Sequence, residues 1–145
     1  MEKVLNLTQA HQSIAEKERH IEILQDKLKN VVGINVHRGE IYWAELGQRV
    51  GSEQGGTRPV VVVQNDTGNK YSTTIIVAPV TKNLKNKDFC THVKIKNPIT
   101  EVECIVLLEQ LITIDKQRVN GYLGKLPKEK IEEVNRKIKI SLGLK

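Results

Sequence analysis

The chain has 145 residues, enough for one domain with a modest core and an added element. Its composition, 39% hydrophobic and 28% charged, is ordinary for a soluble globular protein, and no apolar run approaches the ~20 residues that a bilayer span needs. The net charge of +6 is uneven: residues 1–30 hold five Lys/Arg and five Asp/Glu, so the rest carries the whole excess and is expected to attract a polyanion, with plain solubility as the alternative.

Residues 3–31 contain no Gly or Pro and read as one helix. Leu7, Ile14, Ile21 and Leu28 recur every seven residues, and Ala10, Lys17, Leu24 and Val31 fill the companion positions of a heptad seam. Burying each Leu or Ile of such a seam contributes roughly 1.5–3 kcal/mol, so the seam calls for a partner: the domain behind it, a second copy, or another protein. Gly33 is the expected helix stop. The pattern then changes, which divides the chain into a helical extension, residues 1–37, and a domain, residues 38–145.

That domain reads as short strands. "EIYWAEL" is the first, followed by a glycine-rich loop at residues 47–57. "PVVVVQN" is a fully buried strand, "DTGNKYS" a turn, and "TTIIVAPVT" the strand that returns beside it. A basic loop, "KNLKNKDFC", leads to the alternating strand "THVKIK". "CIVLLEQLITID" is long enough for two strands with a bend, and "GYLGKL" is the last strand. The tail opens on Pro127 and places Ile131, Val134, Ile138 and Leu142 on one helical face. The expected fold is mainly β with helices (α+β), a small antiparallel barrel closed by a C-terminal helix and preceded by a long amphipathic one.

Several chemistries lack their signatures. His11, His20, His37 and His92 are scattered without zinc spacing, there is no GxSxG elbow, and "GSEQGG" is followed by a strand and no Lys-Ser/Thr, so it is not a P-loop. Neither a metal nor a cofactor is expected. Cys90 and Cys104 have no disulfide spacing, and "MEKVLNLTQAHQSIAEKERH" lacks the pattern of a secretory signal, so a cytoplasmic location without membrane attachment is expected. Aromatic residues are 3% of the chain, too few for a base-stacking sheet face or for a proline-binding groove of the SH3 type.

RNA cleavage needs no metal where the substrate's own 2′-hydroxyl attacks the adjacent phosphate. Such an enzyme must accept the hydroxyl proton, stabilise a phosphorane-like transition state and help the 5′-oxygen leave. Arg58, at the mouth of the valine strand, suits the second task because its fork matches phosphate oxygens. A salt bridge from Arg58 to Glu53 or Glu109 is the alternative. Phe89, beside Lys82, Lys85 and Lys87, is either a base platform among phosphate-binding lysines or a core plug. His92 reads as structural, and Trp43 as core or dimer contact.

The blocks "RGEIYWAEL", "GSEQGGTRPVVVVQND", "IIVAPVT", "THVKI" and "LLEQLITIDKQR" resemble the MazF/PemK toxins of bacterial toxin–antitoxin pairs, from Arg38 to about Leu144. The resemblance implies an SH3-like, CcdB/PemK-like barrel and a homodimer. It further implies a metal-independent, sequence-specific endoribonuclease that cuts single-stranded RNA to 2′,3′-cyclic phosphate and 5′-hydroxyl ends. A cognate antitoxin would inhibit it. Carried onto this chain, the catalytic arginine of "GGxRP" falls on Arg58 and the catalytic hydroxyl of "APVT" on Thr81. The mobile loop over the site is "GSEQGG", bearing Ser52, Glu53 and Gln54, with Glu53 as a candidate acceptor for the 2′-hydroxyl proton. Asn65 and Gln110 match positions lining the RNA groove. A CcdB-like toxin that traps DNA gyrase by protein contact is the alternative reading. The first 37 residues fall outside the resemblance.

Overall fold

The computed structural model describes residues 10–23 and 34–145. Residues 10–23 are helical (α1) and exposed throughout, including Ile14 and Ile21 of the seam. Leu7, Leu24, Leu28, Val31 and the stop at Gly33 lie outside the described residues. The chain divides into two compact units, Met1–Ile34 and Asn35–Lys145.

In the second unit the strands are β1 (Glu40–Glu45), β2 (Thr57–Val62), β3 (Thr74–Thr81), β4 (His92–Lys96), β5 (Glu103–Leu107), β6 (Ile112–Asp115) and β7 (Val119–Lys125). They lie in the order β4-β5-β3-β2-β1-β7, with β6 also paired to β3, and every pairing is antiparallel. β3 serves two sheets. Its first half pairs with β6 and its last two residues with β5. Pro79, which has no N–H to give, sits just where one neighbour hands over to the other.

Period-two alternation explains the core. Val61 and Val63 face one side with Ala78, Val80, Val106 and Leu108, and α3 (Lys128–Leu142) covers them through Val134, flanked by Ile131 and Ile138. Val60 and Val62 face the other side, where Tyr42, Ala44 and Val77 are also buried. Strand β2 is therefore buried on both faces, as its run of valines requires. Gly39 opens β1 at φ +89°, and a Cβ there would stand 2.8 Å from Ile131 Cδ1, so the bend into the barrel needs glycine.

Three local expectations are corrected. "DTGNKY" is a short helix, α2 (Asp66–Tyr71), because the Asn65 side chain accepts from Gly68 N and caps it. Pro127 is the N-cap of α3 and stands outside its first turn. Leu142 is 57% exposed, since α3 runs past the core it covers. The segment read as two strands with a bend is β5 and β6, with a 3-10 turn at Leu108–Gln110 between them.

Candidate active site

The glycine-rich loop leaves β1 and returns as β2. Its stem is closed by Leu46 N donating to Gly56 O and Gly56 N to Gly47 O, each at 2.9 Å. The Glu45 carboxylate accepts from Thr57 Oγ1 and, at 2.9 Å, from Gly47 N. These two bonds, the hydroxyl first, hold its pKa below the usual carboxylate range.

Arg58 is the second residue of β2, opposite Ala44 of β1. On its other side the register pairs Val62 with Val77, Val61 with Ala78 and Val60 with Pro79. That pairing ends at Pro79, and the last two residues of β3, Val80 and Thr81, pair with β5 instead. The guanidinium is half-buried. Its Nε donates to Gly55 O at 2.9 Å, and its Nη1 reaches the Gln54 side-chain oxygen and, at 3.5 Å, Val80 O. Burial pushes its pKa down. Among the described residues no carboxylate pairs with it: Glu53 lies 3.7 Å from Arg49, and Glu109 binds Thr91 and His92. The expected salt-bridge alternative is not formed. Neutral acceptors hold part of the fork, so its charge is left for a phosphate to meet without an ion pair having to break.

Gln110 reaches this loop from the 3-10 turn. Its Oε1 accepts from Gln54 N at 2.8 Å and its Nε2 donates to Ser52 O at 3.2 Å. A crevice of about 210 Å³ opens between Arg49, Glu53, Gln54, Pro79, Glu109 and Gln110. Among the described residues Thr81 Oγ1 accepts a single 3.2 Å bond, from Asn83 N, which leaves its hydroxyl hydrogen to be offered elsewhere. The basic loop starts at the very next residue. Lys82, Lys85 and Lys87 are all exposed, and Phe89, at 54% exposure, is no core plug. Its ring centroid is 5.3 Å from that of His92.

The structure thus brings together Ser52, Gln54, Arg58 and Gln110 through hydrogen bonds, with Glu53 on the same loop, while Thr81 and Lys82 follow Val80, whose carbonyl lies 3.5 Å from Arg58 Nη1. It does not bring Asn65 there. Asn65 caps α2 beyond the far end of β2, past a strand span of ~13 Å from Arg58. Thr91, His92 and Glu109 were not read as one unit. His92 Nδ1 faces Asn86 O at 2.7 Å and its Nε2 faces Glu109 Oε1 at 2.8 Å, while Thr91 Oγ1 donates to Glu109 Oε2 at 2.8 Å.

Residues 37–142 match the family described as PemK-like, MazF-like toxin of type II toxin–antitoxin system. An endoribonuclease MazF of Staphylococcus saprophyticus is 48% identical over 111 residues, which are 75% of this chain and 92% of that protein. MazF from Deinococcus radiodurans superposes with a TM-score of 0.67 at 25% identity, covering 77% of this chain and 99% of that one. A mycobacterial endoribonuclease, solved in complex with its cognate antitoxin, shares the fold with a TM-score of 0.63 at 22% identity, covering 76% of this chain and 97% of that one. With the barrel and its closing helix shared as well, this chain belongs to the PemK-like, MazF-like toxins of type II toxin–antitoxin systems.

Proposed function

We propose that this chain is the toxin of such a pair, a cytoplasmic endoribonuclease that cuts single-stranded mRNA at a specific sequence without a metal and acts as a homodimer. The observation that carries the reading is Arg58, a half-buried guanidinium held by neutral acceptors, with no carboxylate paired to it among the described residues. The 48% identity to a MazF endoribonuclease supports it and disfavours the gyrase-trapping alternative.

In the reaction the 2′-oxygen attacks phosphorus and the bond to the 5′-oxygen breaks, leaving a 2′,3′-cyclic phosphate and a 5′-hydroxyl. Arg58, held by Gly55 O and the Gln54 side chain, offers its remaining guanidinium hydrogens to the phosphate oxygens and stabilises the charge that grows on them. Arg58 is also the proposed proton donor to the departing 5′-oxygen. Thr81 donates its hydroxyl hydrogen to a phosphate oxygen. Glu53, on the loop that covers the substrate, is the proposed acceptor of the 2′-hydroxyl proton. Phe89 stacks on a base while Lys82, Lys85 and Lys87 meet phosphates. The antitoxin inhibits by covering this basic surface with acidic chain.

The test is incubation of the purified protein with a long single-stranded RNA in EDTA, with mapping of the ends. Discrete cuts bearing cyclic phosphate are expected, and Arg58→Ala should lower the rate by about 10²–10³-fold. Intact RNA in the presence of folded, antitoxin-free protein would refute the reading.

A further inference from the structure

Gln110 makes an unusual pair of bonds. Its side-chain amide accepts from the backbone of Gln54 and donates to the backbone of Ser52, as a neighbouring β-strand would. Both of its functional atoms are spent on the loop, and the two loop groups are a fixed donor and a fixed acceptor, so the amide has one orientation. Residues Gln54 and Gly55, next along from this clamp, supply the two acceptors that hold Nε and Nη1 of Arg58.

The turn that carries Gln110 is itself pinned from three directions. Leu108 N donates to Thr91 O at 3.0 Å, Ser141 Oγ of α3 donates to Leu108 O at 2.8 Å, and Glu109 holds Thr91 and His92. Thr91 and Leu108 are buried. The loop tip, by contrast, is exposed and rich in glycine. A rigid element therefore reaches out to fix a soft one, the arrangement that sets a reacting group to within fractions of an ångström.

We infer that Gln110 is a positioning residue for RNA cleavage: through the loop it holds Gln54 and Gly55 where they aim the Arg58 guanidinium at the scissile phosphate. This assigns to Gln110 a task separate from lining the groove, and it rests on Arg58 being the catalytic arginine.

The experiment uses the full chain with Gln110→Ala and Gln110→Glu. Glutamate keeps the acceptor for Gln54 N but turns an acceptor toward Ser52 O, so it should fall between alanine and the natural residue. Cleavage of a short RNA carrying one site gives kcat and KM, and backbone amide hydrogen exchange reads the loop. Gln110→Ala should lower kcat on the order of 10–100-fold with KM within about two-fold, and it should speed exchange at the Gln54 amide. A raised KM with unchanged kcat would make Gln110 a direct RNA contact and overturn the inference. Unaltered exchange at Gln54 in Gln110→Ala would overturn the positioning role alone. Cleavage persisting in Arg58→Ala would overturn the reading of Arg58, and this role with it.

Discussion

Thr81 ends β3 with a hydroxyl that does little for the fold. It accepts one bond from Asn83 N and packs no more than half-buried. Replacing it by valine keeps the shape and the β-branch, so the barrel should lose under about 1 kcal/mol. The chemistry should lose far more. If this hydroxyl steadies the phosphate, Thr81→Val lowers the single-turnover rate by about 10²-fold or more, as for one donor to a developing oxyanion. Thr81→Ser restores most of it, since serine carries the same donor. Rates on a single-site RNA, with thermal melts of all three proteins, separate the two effects. A valine variant that cuts at the natural rate removes Thr81 from the mechanism.

At the scale of elements, α2 shows what a linear reading reaches and where it stops. The strands were legible because alternation and β-branched runs report burial directly, as in Val60 to Val63 and Val93 to Ile95. The six residues of α2 were read as a turn because Asp, Gly and Asn mark both a turn and the start of a short helix. Only the Asn65 cap and the bonds to distant Arg38 select the helix. The same limit applies to Gln110, whose partners lie more than fifty positions away. No local pattern encodes that distance. Arg58 and Thr81 are candidates through the family resemblance alone, and the bonds that tie Arg58 to Gly55 and Gln54 come only from the fold.

The bonds around α2 give a pH prediction. Asp66 Oδ1 accepts from Arg38 N at 2.7 Å and from Asn69 Nδ2 at 3.1 Å. The Arg38 amide is the main cause that holds its pKa below the usual carboxylate range, with smaller help from Asn69 and from the charges of His37 and Lys125, against some desolvation. A carboxyl depressed by folding stabilises the fold above its unfolded value of ~3.9, and that stability fades as pH falls through the folded value. Asp66→Asn should therefore be the less stable protein at pH 7, by a modest amount because the carboxyl is exposed. The two should converge toward pH 3. Urea melts at pH 7, 5 and 3 read the difference, and a gap that widens in acid would contradict the assignment.

On the scale of the whole molecule, the question is whether residues 35–145 suffice. The cluster that makes the core, from Ile41 to Val134, lies inside the second unit, as do Arg58, Thr81 and Gln110. The family match begins at residue 37, and the match to the staphylococcal relative takes in 75% of this chain and 92% of that protein. The first unit is also neutral in charge over residues 1–30, so removing it leaves the basic excess that draws RNA. Deleting residues 1–34 should then leave a cooperative melt within about 4 °C of the full chain, a change below ~1 kcal/mol, and RNA cleavage at the same sites. Circular dichroism melts and end-mapping on one RNA, run beside the full chain, make the comparison. A truncated protein that fails to fold would make the helix part of the barrel's own core. One that folds but cuts elsewhere would place the helix in RNA recognition, a role that residues 10–23, with three Glu against one Lys and one Arg, do not suggest.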